Sequence, residues 1–123
     1  MKNKIMPIIR TVAMPADTNP NGDIFGGWLL SQMDIAGGIL AQSKAKGRVA
    51  TIAINAMKFI SPVKVGDTVT CFGEIAQIGN TSITVNLRVT SELPGKKNTR
   101  EVTNGTFVYV AIDEKGNPKS IAT

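Results

Sequence analysis

One carboxylate lies inside an otherwise apolar helical pattern in the segment NPNGDIFGGWLLSQMDIAGG, residues 19–38. Asp34 stands between Met33 and Ile35, and no Lys or Arg occurs within four positions on either side. A buried carboxylate without a partner is costly, so such a group is usually paired, neutralised or chemically active. Asp34 is therefore the first candidate for a functional side chain.

The helix face that carries Asp34 is built mostly from small residues. Residues three, four and seven positions away share this face, and they are Gly27, Leu30, Ser31, Gly37, Gly38 and Ala41. Glycine inside a helix costs up to about 1 kcal/mol relative to alanine, so the face predicts the close approach of another backbone or of a ligand. Two interpretations are open. Either two helices pack along this face and hydroxyls or backbone amides satisfy Asp34, or the carboxylate lies in an apolar cleft and acts as a base on water.

Hydrogen-bond donors precede the carboxylate. Asn19 lies just before a turn and can offer its side-chain amide. Gly26 and Gly27 fall in the first helical turn, where backbone N–H groups are unpaired and the helix dipole favours negative charge. A carbonyl oxygen placed there would be polarised as it becomes an oxyanion. Donors at the helix start and a carboxylate two turns later indicate attack of water on an acyl group.

Periodicity and turn signals predict the elements that position these residues. A strand is expected at about residues 8–14, followed by a helix at about 25–46 that Asp23 caps and Gly47 ends. Further strands are expected at 49–60, 68–78, from 83 onward and at 102–112. In the strand from residue 83, one face carries the apolar residues Ile83, Val85, Leu87 and Val89.

This order predicts an α+β fold in which one helix packs on an antiparallel sheet, with residues 1–123 forming a single domain. The helix is apolar on nearly all sides, from Phe25 and Trp28 to Ile39 and Leu40. Such a helix must be enclosed rather than rest on a surface. A sheet that curls around it and a second subunit that closes the remaining side would do this, so a homodimer is expected.

The composition excludes several kinds of chemistry. The sequence contains no histidine, which rules out Ser-His-Asp and Cys-His catalysis and most zinc sites. Cys71 is the only cysteine, so it can form no internal disulfide and has no histidine to activate it. Acid and base chemistry must fall to Asp, Glu, Lys, Tyr or water.

The net charge of +5 favours an anionic partner, although the basic residues are scattered. Solubility alone and phosphate recognition are both open explanations. The sequence has only four Phe, one Trp and one Tyr, so aromatic side chains on which bases could stack are scarce. Nucleic acid is therefore not expected as a partner. No apolar run approaches the ~18 residues of a membrane span, and residues 1–10 lack the features of a signal peptide. A cytoplasmic protein without a membrane partner is expected.

Two segments carry a resemblance to a known family. AMPADTNPNGDIFGGWLLSQMDIAGG, residues 13–38, and GRVATIAINAMKFISPVKVGD, residues 47–67, closely resemble the bacterial hotdog-fold acyl-CoA thioesterases of the YciA type. The similarity runs from about residue 10 to residue 118. It implies a five-stranded antiparallel sheet wrapped around one long central helix, dimers joined edge to edge, and further assembly into trimers of dimers, which are hexamers. It also implies hydrolysis of acyl-CoA to free CoA and a carboxylic acid with no metal and no cofactor, since CoA is part of the substrate and product.

The resemblance also implies roles for individual residues. Asp34 matches the catalytic carboxylate, and Asn19 matches an asparagine that comes from the opposing subunit to hold the reacting carbonyl or the attacking water. The backbone amide of Gly27, or of its neighbour Gly26, matches the oxyanion donor. Candidates for contacts with CoA are Arg48, Lys58 and Ser82.

Three questions stay open at this point. Asp34 could act as a general base on water, or as a nucleophile that forms a mixed anhydride. The alternative function is that of a non-catalytic hotdog module that binds acyl-CoA as a sensor. The presence of both Asn19 and Asp34 argues against it, because a protein that only binds acyl-CoA needs neither. Four apolar residues of one strand could line an acyl tunnel or belong to the core, with the core favoured: Ile52, Ile54, Met57 and Phe59.

Overall fold

The computed structural model describes residues 6–121 except 94, 96 and 97. Within these residues the chain forms five strands, one long helix and a short 3-10 turn at Pro15–Asp17. The elements are β1 (Met6–Val12), α1 (Gly26–Ala45), β2 (Val49–Phe59), β3 (Thr68–Ile78), β4 (Ser82–Glu92) and β5 (Arg100–Ala111). The expected order of one strand, one helix and four strands is confirmed.

The strands form one antiparallel sheet in the order β1-β3-β4-β5-β2. Helix α1 contacts all five strands, so the sheet curves around it as expected. Strands β1 and β2 are the two edges of this sheet. No helix in the described part of the chain is long and apolar enough to cross a bilayer.

The core lies between α1 and the concave face of the sheet. The predicted alternation in β4 is confirmed, because Ile83, Val85, Leu87 and Val89 are all at most 2% exposed. From the helix side, Leu29 and Met33 fill the space above them. Each fully buried side chain of this size contributes roughly 1.5–3 kcal/mol of transfer free energy, so the packing of β4 against α1 contributes strongly to stability.

The bounds of α1 agree with the prediction to within one residue, but the residues predicted to cap it and to end it are wrong. The N-cap is Phe25, and no side chain of the described residues caps the helix. Asp23 instead forms an ion pair with Lys64. The backbone is still extended at residue 25, where Phe25 donates its N–H to the carbonyl of Asp17. The helix thus begins beyond the reach of the Asp23 side chain.

At the other end, Lys46 rather than Gly47 takes the left-handed conformation, with φ 57°. Its N–H donates to the carbonyl of Gln42 and closes the last turn. The first strand was predicted two residues too late, and the last strand begins at Arg100 instead of residue 102. These shifts leave the topology unchanged.

Candidate active site

Asp34 lies half-buried on the third turn of α1, where two hydroxyl groups meet one oxygen of its carboxylate. Thr51 donates from Oγ1 to Oδ1 over 2.7 Å. The Tyr109 hydroxyl lies 3.0 Å from the same Oδ1 and 2.9 Å from the backbone carbonyl oxygen of Asp34. Among the described residues Oδ2 has no hydrogen-bond partner. One oxygen is therefore held by the protein and the other is free to act.

The small face of the helix accommodates the ring of Tyr109. A Cβ at Gly37 would lie 2.9 Å from Cε1 and Cζ of that ring, whereas at Gly38 it would lie 3.9 Å from Cε2. Within the protomer the close neighbour at Gly37 is the side chain of Tyr109, which the sequence did not predict. The approach of a second helix or of a ligand to the rest of this face stays a prediction, and hydroxyls bind Asp34 as the helix-packing interpretation expected.

The hydroxyl of Tyr109 is set up as a permanent donor. Burial, and then the negative charge of Asp34 and the hydrogen bond to it, raise the pKa of Tyr109 far above its ordinary value. The ring stacks on Phe107, with centroids 6.4 Å apart and planes 19° apart. Both rings are fully buried, so the hydroxyl is held rigidly against the carboxylate.

The start of α1 offers two backbone donors. No acceptor within the described residues binds the N–H of Gly26 or Gly27, and no side chain caps the helix. A Cβ at Gly27 would lie 3.1 Å from Cζ of Phe25, so this position has little room for a side chain. Two unpaired N–H groups at the positive end of a helix form a site for a developing negative charge.

The loop before α1 holds Asn19 in one orientation. Its Oδ1 accepts from the N–H of Asn21 (2.9 Å) and of Asp23 (3.1 Å). Because only the oxygen can accept from two N–H donors, the Nδ2 group must point the other way. Among the described residues Nδ2 has no acceptor, so Asn19 presents a free amide donor.

Only part of the predicted set comes together within one protomer. Asn19 and Gly26 line a cavity of about 300 Å³, together with Leu29 and Phe59. Gly27 lines a neighbouring cavity of about 490 Å³. Asp34 lines neither, because it lies seven residues, or about 10 Å, further along the helix.

The candidates for CoA contacts are separated in the sheet. Ser82 lies opposite Val110 of β5, and Arg48 directly precedes the residue opposite Ala111. Arg48 extends Nη1 to the carbonyls of Asp113 (3.5 Å) and Glu114 (3.3 Å).

Lys58 lies opposite Asn104, six residues back along β5, which is about 20 Å away. It lines a cavity of about 370 Å³ on the sheet, where Arg88 stacks over Phe72 at 5.0 Å from the ring centroid. Within the described residues, Lys58 is therefore far from both Arg48 and Ser82.

The candidates for an acyl tunnel lie on the edge strand β2. Ile52 (58%), Ile54 (40%) and Phe59 (58%) are exposed in the protomer, so the favoured assignment to the core is wrong for all three. Met57 is half-buried and packs on Gly105, where a Cβ would lie 3.3 Å from its Cγ.

Cys71 does not take part in the site. It is fully buried in β3, and burial raises the pKa of its thiol to about 12. No cluster of three or more potential metal ligands occurs among the residues that the structure describes.

Sequence reasoning missed Thr51 and Tyr109, the two side chains that bind Asp34. Gly37, three residues after Asp34, was the available signal, because a side chain at that position would overlap the ring of Tyr109. Nothing in the local sequence identifies that neighbour. Tyr109 lies 75 residues away from Asp34.

Known proteins share both sequence and structure with this chain. Residues 21–96 match the thioesterase superfamily. The acyl-CoA thioester hydrolase YciA of Escherichia coli (strain K12) is 49% identical over 119 residues, which cover 93% of this chain and 89% of the relative.

Two solved structures superpose with a TM-score of 0.93. One is a hexameric broad specificity acyl-coenzyme A thioesterase, 43% identical, with coverage of 97% of this chain and 88% of that chain. The other is a hexameric thioesterase from Yersinia pestis, 44% identical over the full length of both chains. These similarities and the sheet wrapped around α1 confirm the resemblance, and the chain belongs to the thioesterase superfamily with the hotdog fold.

Proposed function

We infer that the chain is an acyl-CoA thioester hydrolase, which releases free CoA and a carboxylic acid. The observation that carries this conclusion is the Asp34 carboxylate, with Oδ1 held by two hydroxyls and Oδ2 without a partner among the described residues. The 49% identical relative from Escherichia coli carries the same activity in its name. Nothing favours the non-catalytic acyl-CoA sensor.

The reaction needs one base and one oxyanion site. Oδ2 of Asp34 removes a proton from a water molecule while the water oxygen bonds to the thioester carbon. The carbonyl oxygen becomes an oxyanion, which the N–H of the partner's Gly27 or Gly26 stabilises, because within one protomer these N–H groups lie about 10 Å or more from Asp34 along the helix. The C–S bond then breaks, the carbonyl re-forms, and the thiolate of CoA takes up a proton. The amide of Asn19 holds the carbonyl or the water.

The nucleophilic route uses the same oxygen. Oδ2 would attack the thioester carbon and expel the thiolate, and water would then open the mixed anhydride. A single turnover in heavy-oxygen water separates the routes, because label enters Asp34 only through the anhydride. A base mechanism leaves the carboxylate of Asp34 unlabelled.

We propose that the active site is completed by a second copy of the chain, joined edge to edge along β2. An exposed apolar edge strand is a liability unless it is paired. Ile52 and Ile54 on this strand and Ile35 and Ile39 on α1 are all at least 40% exposed. Asn19 and Asp34 line no common cavity, which supports the partner's Asn19 as the donor. Hexameric relatives support a trimer of such dimers.

The CoA moiety would lie between subunits. Arg48 and Ser82 lie at one end of the sheet and Lys58 at the other, so one protomer supplies no continuous phosphate site. A groove shared by subunits can combine them. The net charge of +5 supports the binding of an anionic nucleotide.

We propose further that the reaction needs neither a metal nor a cofactor and takes place in the cytoplasm. Full activity in the presence of EDTA tests the first point. Recovery of the protein with cytosolic markers on cell fractionation tests the second.

Free-thiol release from a panel of acyl-CoAs, with wild type and Asp34→Asn side by side, tests the proposed function. Wild-type turnover with a loss of at least about a hundredfold in kcat for the variant is expected, because the variant has no base. If the wild type turns over and the variant keeps a kcat within about tenfold of the wild-type value, Asp34 has a structural role and not a catalytic one. Saturable binding without turnover would make the protein a sensor.

Subunit mixing tests the shared site. Asp34→Asn and Asn19→Ala are each expected to be nearly inactive alone. When the two are unfolded together and refolded, the mixed dimers contain one site with both residues intact if Asn19 acts across the interface. Recovered activity supports the shared site, and no recovery contradicts it. Refolded single variants are the controls.

A further inference from the structure

Thr51 and Tyr109 lie directly opposite one another in the β2–β5 pair. Opposed residues of an antiparallel pair point to the same face, with their Cβ atoms about 5 Å apart. Their hydroxyls therefore reach the same oxygen of Asp34 from two neighbouring strands. Nothing in the proposed reaction assigns either residue a task.

We propose that Thr51 and Tyr109 are positioning residues that lock the carboxylate of Asp34 and reserve Oδ2 for the reaction. This inference rests on the proposed function, in which Asp34 acts on water or on the thioester. Neither hydroxyl touches the substrate. Both act through the side chain that does.

The Tyr109 hydroxyl fixes the side-chain torsion of Asp34. It lies 2.9 Å from the backbone carbonyl oxygen and 3.0 Å from Oδ1 of the same residue. The hydroxyl shares its one proton between these two oxygens, and both contacts persist only while Asp34 keeps its present rotamer. Thr51 holds Oδ1 from the neighbouring strand at 2.7 Å, so rotation of the carboxylate about its last torsion breaks a second bond.

The two hydroxyls also make the carboxylate oxygens unequal. Oδ1 lies within hydrogen-bond distance of both hydroxyls, and Tyr109 shares its one proton between Oδ1 and the backbone carbonyl oxygen of Asp34. Oδ2 accepts no hydrogen bond from the described residues, so it is the oxygen left for the reaction. Because the pKa of Tyr109 is raised far above its ordinary value, its hydroxyl stays protonated and continues to donate.

Small displacements of a catalytic group matter. A misplacement of about 1 Å can cost on the order of a hundredfold in rate. Loss of either hydroxyl is thus expected to reduce kcat while the substrate still binds.

Kinetics of four variants test this inference: Tyr109→Phe, Thr51→Val, Thr51→Ser and Thr99→Val. The first two remove the hydroxyls with little change in shape, and each is expected to lower kcat about ten- to a hundredfold with KM within about twofold. Thr51→Ser keeps its hydroxyl and is expected to retain kcat within about threefold. Thr99→Val removes a hydroxyl that donates to a surface carboxylate, Oε1 of Glu92 at 3.2 Å, and is expected to leave kcat unchanged.

A double-mutant cycle separates positioning from general support of the fold. If the Tyr109 hydroxyl acts through Asp34, adding Tyr109→Phe to Asp34→Asn lowers the residual rate no further. Equal losses in both backgrounds would overturn the inference. Wild-type-like kcat in both Tyr109→Phe and Thr51→Val, while Asp34→Asn is inactive, would overturn it as well.

A crystal structure of Tyr109→Phe gives a readout that does not depend on turnover. The inference requires Asp34 to occupy a second rotamer or alternate conformers in the variant and a single rotamer in the wild type. An unchanged single rotamer would refute the positioning role. Absence of wild-type turnover would instead refute the proposed function, so the two failures are distinguishable.

Discussion

The contact between Gly37 and Tyr109 predicts opposite effects for two adjacent substitutions. A Cβ at Gly37 would lie 2.9 Å from two ring carbons of Tyr109, and at Gly38 it would lie 3.9 Å from the nearest. Ordinary contacts begin at 3.4 Å. Gly37→Ala must therefore displace the ring, whereas Gly38→Ala needs no adjustment.

The magnitude follows from two terms. Both substitutions replace glycine by alanine inside α1 and gain up to about 1 kcal/mol of helix propensity. Only Gly37→Ala adds overpacking in a fully buried site, which costs about 1–3 kcal/mol. Because the propensity term is common to both, the two variants should differ by about 1–3 kcal/mol in the free energy of unfolding. We expect Gly38→Ala to be more stable than wild type and Gly37→Ala to be less stable or equal.

Urea unfolding at one protomer concentration measures this difference, because subunit association adds to apparent stability. Size-exclusion chromatography checks that both variants keep the wild-type assembly. Thiol release gives a second readout, since a displaced Tyr109 hydroxyl no longer reaches Oδ1 of Asp34, and kcat of Gly37→Ala should fall at least about tenfold. Equal stability of the two variants would show that Tyr109 does not pack on Gly37 as described.

Two further predictions concern groups outside the active site. Arg100→Met removes the cation that lies 3.1 Å from the fully buried carboxylate of Asp67, and it should lower the free energy of unfolding by about 3 kcal/mol. Lys64→Met breaks an exposed ion pair with Asp23 and should lower the free energy of unfolding by less than about 1 kcal/mol. Equal urea midpoints for the two variants would contradict this contrast. The Cys71 thiol, whose pKa is raised from 9.0 to about 12, should resist Ellman's reagent at pH 8 in the native protein and react in urea. The thiol of the unfolded chain ionises at a lower pH than the buried thiol, so the free energy of unfolding should fall as pH rises from about 9 towards 12. The fall should be smaller in Cys71→Ala. An identical fall in that variant would exclude the thiol as its cause.

Local patterns in the sequence were sufficient for much of this protein. The period of two in β4 predicted its buried face, because alternation along a strand is a local property of the backbone. The break between the helical pattern and the strand pattern near residue 47 predicted the end of α1 to within about two residues. Asp34, Gly26 and Gly27 were also recognisable, since their positions relative to one another depend only on the helix.

Contacts between segments that are distant in the sequence could not be predicted from local patterns. Asp23 has the right type for a helix cap, but the tertiary position of Lys64 decides where its carboxylate goes. Ile52, Ile54 and Phe59 have the apolar character of core residues, and the place of β2 at the edge of the sheet leaves them exposed in the protomer.

By itself the sequence determined which residue could act as the base and which N–H groups are unpaired, because both follow from positions within one helix. Only the tertiary structure decided what holds that base. Thr51 and Tyr109 are 17 and 75 residues from Asp34 and meet it through the register of β2 and β5. Register is set by the packing of the whole sheet on the helix, and no short segment of the chain contains that information.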